Sequence, residues 1–481
     1  MNRRAFLSSA GAALAATARW PAAARSAPAD DRFEEIAALV RRKMADYRVP
    51  GVGLGVWHGD ALNLRGFGVT SVDEPRPVTP DTLFTIASIS KTMTATAVMK
   101  LVEDGRLDLR APVRTVLPEF RVGDEAASAA VTPWHLLTHT SGWEGQLTTE
   151  DRGAQALAHF VYTIMPTLPQ LAPPGRVWSY NNAGFALSGR MLEVLTGRTV
   201  HDALRDLVFA PLGLTRTFTR YTDAMTYPMT LGHRDRDRDV EVIRPFQTTS
   251  STTAGGVLTS VSDLMRYARF HLGSAPAVNP TYLPRPRLLE MQAPQVAKHG
   301  TDDEMGLGWH IRRLGGTTTL AHGGTLNGHC LLVELVPSQD LAFTVLTNHV
   351  DGWRLVQDVE QAVLDRYAGI GLAAGQRIGH RGVNEAMSLH SRPLVEQPRF
   401  APYVGAYTRP PVGEVMVRTH GAGLMVGTGA GQPDASVAFY GTDVAYATSG
   451  NYVGFPYEFV RADDGSVGWV RVNGRIARRA S

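Results

Sequence analysis

The sequence predicts a mixed α/β fold, one sheet assembled from distant parts of the chain around a helical insertion, followed by a small all-β domain. Three observations carry that prediction. Strand-like runs stand near both ends of residues 30–370, helical and loop patterns fill the centre, and the last eighty or so residues alternate in short runs broken by Gly, Asp-Gly and Asn-Gly. At 481 residues, 44% hydrophobic and 19% charged, the chain has the material for a full core and more length than one domain usually takes.

Phe33 to Tyr47 reads as an amphipathic helix, with Phe33, Ile36, Leu39, Val40 and Met44 on one face, and Pro50 ends it. Gly51 to Trp57 and Leu62 to Val69 read as two strands joined at Gly59-Asp60. No helix opens after their glycines, so strand packing explains them better than a nucleotide loop. Thr92 to Asp104 is helical, closed by Gly105, and Pro112 to Gly273 reads as mainly helix and loop. Strands return at Trp309 to Leu314, Thr317 to His322, Gly328 to Leu335 and Ala342 to Asn348, and a helix follows over Gly352 to Tyr367. Residues 371–396, rich in Gly, Arg and His, read as a linker. Residues 397–481 form the β domain, with runs at Glu414 to Arg418, Leu424 to Gly427, Ala435 to Tyr440, Tyr457 to Arg461 and Gly468 to Val472.

The first residues read as a targeting segment. Arg3-Arg4-Ala5-Phe6-Leu7 opens an apolar, small-residue stretch, and Ala27-Pro28-Ala29 offers a small-x-small cleavage site. The twin arginines resemble a Tat export signal over residues 1–29, which predicts a periplasmic or secreted protein with no membrane span once it is cleaved. Those residues hold four arginines and no acid, so their removal moves the formal charge from +3 to −1. The basicity belongs to the signal and implies no nucleic-acid partner. Cys330, the single cysteine, sits in the apolar run Cys330-Leu331-Leu332-Val333 and reads as a small buried hydrophobe.

Lysine occurs only at Lys43, Lys91, Lys100 and Lys298, arginine carrying nearly every other positive charge. Ser88-Ile89-Ser90-Lys91 therefore puts a scarce titratable amine one helical turn from a serine, where a neutral amine can take the proton of a nucleophile. Tyr180, at a loop-to-helix junction in Tyr180-Asn181-Asn182, is expected to reach into a cleft and to have its pKa lowered by nearby cations, making it a proton carrier. Asn182 can donate to a substrate carbonyl and accept from Lys91. His322-Gly323-Gly324-Thr325 ends a strand-like run, and the N–H groups of Ser88 and Thr325 are the natural pair for an oxyanion hole. No G-x-S-x-G elbow and no metal or cofactor signature is present. His135 and His139 have a spacing that can bind zinc, but the run around them reads as structural.

S-x-x-K, then Y-x-N, then H-G-G in this order resembles the serine β-lactamase and penicillin-binding protein superfamily. The nearest likeness is the class C β-lactamase-like branch with its D-alanyl-D-alanine carboxypeptidases, D-aminopeptidases and esterases. Leu83 to Ser88, Leu136 to Gly142, Ala254 to Ser260 and Gly306 to Trp309 match that branch as well. The resemblance covers about residues 33–368 and implies an antiparallel sheet flanked by helices. It implies Ser88 as nucleophile, Lys91 as its proton acceptor and Tyr180 as the proton shuttle. Asn182, His322, Gly323, Gly324 and Thr325 would bind a small-molecule or peptide substrate. Class C β-lactamases carry Lys where this chain has His322. A mostly neutral His favours a peptidase or esterase over a β-lactamase, because it offers no permanent charge to a substrate carboxylate. A non-catalytic penicillin-recognising module would need no proton acceptor, and the intact Ser88, Lys91 and Tyr180 count against it.

Overall fold

A computed structural model describes residues 30–146, 153–246, 248–279, 281–298, 303–371, 393–427, 429, 434–450 and 453–480. The expected signal over 1–29 and most of the expected linker over 371–396 lie outside them. Helix α1 (Asp31–Asp46) is capped by Asp30, whose side chain accepts from the Arg32 N–H, and buries Phe33, Ile36, Ala37 and Val40. Strands β1 (Gly51–His58) and β2 (Ala61–Gly68) follow as a hairpin. The later strands of the same sheet are β3 (Val296–Ala297), β4 (Glu304–Met305), β5 (His310–Leu314), β6 (Thr317–Leu326), β7 (His329–Val336) and β8 (Leu341–Thr347). Their order is β2-β1-β8-β7-β6-β5-β4-β3, antiparallel throughout, so the two ends of the segment meet where β1 pairs with β8.

One face of the sheet is covered by α1 and by α5 (Trp353–Val363); the other by the helical insertion, which includes α2 (Ser90–Glu103), α3 (Asn182–Thr196) and α4 (Val261–Leu272). The glycines of β1 are there for α4. A Cβ on Gly53 would lie 2.5 Å from Val261, and one on Gly55 would lie 2.5 Å from Met265. Short strands also appear, most of them in the central region expected as helix and loop. Leu83–Thr85, Thr217–Phe218 and Leu258–Ser260 form a small sheet, and Gly232–Arg236 pairs with Asp239–Ile243. Runs of two to five residues are too short for alternation to register in sequence.

The β domain closes on itself. Its strands are β9 (Gly405–Arg409), β10 (Gly413–His420), β11 (Gly423–Gly427), β12 (Ala435–Gly441), β13 (Val444–Ala447), β14 (Pro456–Arg461), β15 (Val467–Val472) and β16 (Arg475–Arg479). The pairs Tyr407–Arg479 and Thr408–Arg478 shut the barrel. Tyr407, Phe439, Phe459, Leu424 and Val470 fill it. The barrel rests on the first body through Trp469, Val460 and Ile476, which pack on Leu171, Ala172 and Val177. Among the described residues no helix is long and apolar enough to cross a membrane.

Between β5, β7 and α5 lies a fully buried ionic cluster. Arg312 Nη1 reaches Glu334 at 2.9 Å and Glu360 at 2.6 Å, and Thr319 donates to Glu334 at 2.6 Å. Two carboxylates share one guanidinium here, and burial, with Glu334 nearby, pushes the Glu360 carboxyl up to about 8 against the pull of Arg312. A carboxyl whose folded pKa is raised stabilises the fold fully below its unfolded value and loses that contribution as pH rises through the folded one. Glu360→Gln should therefore flatten the fall of Tm between about pH 5 and about pH 9 relative to the parent protein. Thermal melts across that range check this, and an unchanged slope contradicts it.

Candidate active site

From Thr82 through Met99 every residue is buried except Ser88. The chain arrives along the strand Leu83–Thr85 and enters the tight turn Ala87–Ile89, in which Ala87 takes a left-handed φ of 47°. α2 then starts at Ser90. Strain at a non-glycine residue is tolerated where the surroundings hold it, and here they do: Ile86 N–H donates to Val257 O, and Val257 N–H donates to Ser90 Oγ. Ser88 is thus presented at the head of a helix whose own residues are covered.

Lys91, wholly buried, sits one turn later. Its Nζ is 3.2 Å from Ser88 Oγ and donates to Ala254 O at 2.5 Å. Burial holds the amine well below the ordinary lysine range, and the nearby Arg475 lowers it further. A neutral amine with one N–H on a carbonyl keeps a lone pair for the serine proton. The run Ala254 to Ser260 matters because it supplies that carbonyl and the Val257 contacts. Gly308, at φ 79°, lets the β4–β5 connection press on α2, where a Cβ would meet Ala95 at 2.7 Å.

Tyr180 lies on the other side of Ser88, its hydroxyl hydrogen-bonded to the serine side chain and its ring 4.8 Å from Lys91 Nζ. The expectation that cations lower its pKa is corrected: burial dominates and pushes the phenol up to about 12, against smaller downward effects from the Ser88 hydrogen bond and Arg475. Tyr180 is therefore a proton-bearing phenol in the resting site. Asn182 opens α3, with Asn181 as the N-cap accepting from Gly184 N–H. The expected Lys91–Asn182 hydrogen bond is absent from the structure. Lys91 uses Ser88 and Ala254 instead, leaving Asn182 Oδ1 buried without a protein partner.

The strand expected over Thr317 to His322 runs on as β6 through Gly323, Gly324 and Thr325 to Leu326. Gly324 allows this, since a Cβ there would lie 2.5 Å from Ile86 O and 3.0 Å from Ala87 Cβ. The strand lies flat against the turn that carries Ser88. β5 ends opposite Ala321, so from His322 onward one edge of β6 is open. Asn327 and Gly328, both at positive φ, close a two-residue turn to β7 and make Leu326–His329 the hydrogen-bonded pair. The next pair, Thr325–Cys330, is then the non-hydrogen-bonded kind, and the Thr325 N–H faces the open edge. His322 is buried and neutral, its pKa lowered to about 3 chiefly by burial, with Lys298 adding to it and Gly323 O opposing. Its Nδ1 donates to Gly323 O at 2.7 Å, so the unpartnered Nε2 is an acceptor. Cys330 is buried, as expected, and donates weakly to Val350 O.

Sequence reasoning named no barrel residue at the site. Asn473 and Gly474 form the β15–β16 turn, and Gly474 O accepts from Tyr180 N–H at 2.8 Å. Arg475 Nε donates to Tyr180 O at 3.3 Å, and Ile476 N–H donates to Ser179 Oγ at 3.2 Å. Farther along the cleft wall, Arg409 of β9 pairs with the buried Glu144 at 2.9 Å. The Asn-Gly hairpin signal was legible in sequence, but nothing in it marked Tyr180 as the neighbour.

A beta-lactamase family profile matches residues 36–367. Penicillin-binding protein 4 of Amycolatopsis lactamdurans is 32% identical over 336 residues, covering 68% of this chain and 87% of its own. The unguisins hydrolase ungD' of Aspergillus campestris is 24% identical over 333 residues, covering 66% of this chain and 61% of its own. The crystal structure of SurE superposes with a TM-score of 0.77 at 27% identity, covering 94% of this chain and 99% of that one. SurE with D-Leu gives 0.74 at 26% identity, with 94% and 100% coverage. The profile spans the body that carries Ser88, Lys91, Tyr180 and His322, and the chain belongs to the beta-lactamase family as a serine hydrolase.

Proposed function

We propose that the protein cleaves an amide or ester through an acyl-enzyme on Ser88, acting on a D-amino-acid peptide or a carboxylic ester. The observation that carries the reading is the buried Lys91 amine, held well below the ordinary lysine range, 3.2 Å from Ser88 Oγ. Ser88 Oγ attacks the substrate carbonyl and passes its proton to Lys91 Nζ. The N–H groups of Ser88 and Thr325 hold the oxyanion. Tyr180, proton-bearing and hydrogen-bonded to Ser88, relays a proton to the departing amine or alcohol and is recharged from Lys91. Water then enters by the reverse relay, attacks the acyl carbonyl and frees Ser88 and the acid product.

Two observations favour a peptidase or esterase over a β-lactamase. His322 is neutral where a permanent cation would meet a β-lactam carboxylate. The SurE likeness extends over 94% of this chain, barrel included, and SurE has been crystallised with D-Leu. Export through the Tat-type signal over residues 1–29, to the periplasm or medium, belongs to the same proposal.

A fluorophosphonate probe should label the wild type at Ser88, and p-nitrophenyl butyrate or D-alanyl p-nitroanilide should be turned over at least about 100-fold faster than nitrocefin. No labelling, or no turnover of either the ester or the anilide, overturns the enzyme reading; nitrocefin as the best substrate overturns the substrate class. Lys91→Arg should lose activity nearly as fully as Ser88→Ala, about 1,000-fold or more, because a guanidinium cannot accept the proton. Appreciable Lys91→Arg turnover removes Lys91 from its role. With Tyr180 protonated until pH nears about 12, kcat/KM should hold level between about pH 8 and about pH 10, where a phenol with lowered pKa would give a decline. Gly324→Ala should lower kcat by about 30-fold or more, since its methyl group must push β6 off the Ser88 turn; activity within threefold of the parent contradicts this.

A further inference from the structure

His139 belongs to the Leu136 to Gly142 run that the sequence suggests is structural, and the mechanism above gives it no task. Its placement says otherwise. Just past the helix Pro133–Leu137 the chain turns left-handed at His139, φ 58°, a conformation that His, Asn and Asp adopt more readily than other side chains. That twist turns both its carbonyl and its ring toward residues 179–181. His139 O accepts from Ser179 N–H at 2.9 Å, and His139 Nδ1 accepts from Asn181 N–H at 2.9 Å. One residue therefore receives the two amides flanking Tyr180, its ring nitrogen standing where a second backbone carbonyl would be in a strand pair. The imidazole also lies against Tyr180, with ring centroids 4.5 Å apart, and against Phe185 at 5.2 Å.

The opposite edge of the same segment is held by Gly474 O and Arg475 Nε. Tyr180 thus sits between two clamps, one from its own domain and one from the barrel. Because Nδ1 accepts, the ring proton is on Nε2, which is buried without a protein partner. Burial holds the imidazole well below its ordinary pKa, with the charges of Lys298 and Arg475 adding to it, so the acceptor persists into acid.

We infer that His139 is a positioning residue that sets the Tyr180 phenol, and through Asn181 the start of α3 with Asn182, at the distance Ser88 requires. The inference rests on the reading of Tyr180 as the proton carrier. His139→Asn keeps an acceptor at the Nδ1 position and tolerates the left-handed backbone, whereas His139→Phe keeps a ring against Tyr180 and loses the acceptor.

The test uses the full-length protein and p-nitrophenyl butyrate. His139→Phe should lower kcat by about 30-fold with KM within about threefold, and His139→Asn should recover to within about tenfold of the parent. In a Tyr180→Phe background His139→Phe should cost less than about threefold further, because the group it positions is gone. Independent, multiplicative losses overturn the inference, as does His139→Phe turnover within threefold of the parent or His139→Asn no better than His139→Phe. Should His139→Phe not fold, the same cycle with His139→Asn decides: any loss must vanish beside Tyr180→Phe, and one that persists overturns the inference. Full activity in Tyr180→Phe alone would instead sink the proton-carrier reading, a separate outcome because His139 is untouched in it.

Discussion

A lysine amine buried beside a serine, with no acid among the described residues to pair it, is the constraint around which this molecule is arranged. An ammonium there would lose its hydration and face the charge of Arg475, and both hold the amine well below the ordinary lysine range. Keeping it dry requires α2 to be covered on every side. The small sheet Leu83–Thr85 and Leu258–Ser260 does so at its head, α3 flanks it, and the β4–β5 connection presses on it at Gly308. Only Ser88 is left open to the cleft.

Around that amine the polar atoms divide by origin. β6 offers one open edge for the backbone of an acyl group, with a neutral histidine acceptor where a cation would serve a β-lactam. The segment 179–181 supplies the phenol and the start of α3, and it is tied down along both edges rather than by its own secondary structure. Two unpartnered acceptors, Asn182 Oδ1 and His322 Nε2, remain buried at the site. Acceptors left bare in a protein interior each cost about 1–3 kcal/mol unless a ligand supplies the hydrogen.

The chemistry was more legible in the sequence than the electrostatics. Ser88, Lys91 and the strand residues His322 to Thr325 could be named because their order and short-range spacing survive folding unchanged. The direction of the Tyr180 shift was misread because counting cations along a chain says nothing of how deeply a hydroxyl is buried, and burial is the larger effect here. The barrel was legible as β structure but not as a closed ring. Gly405–Arg409 and Arg475–Arg479, the strands that close it, are polar or interrupted by arginine, and their pairing spans most of the domain. His139 was visible yet mute, since its partners, the Ser179 and Asn181 amides, lie forty residues away and carry no side-chain signature.

The barrel turn that grips Tyr180 also has a meaning in time. Ser88 and Lys91, the proposed nucleophile and base, sit three residues apart, whereas the contact from Arg475 to Tyr180 joins residues 295 positions apart in the chain. A growing polypeptide can fold its sheet-and-helix body and still lack the outer clamp on the phenol until the last barrel strand has emerged. Under the proposed mechanism, full positioning of the phenol would wait for that last strand.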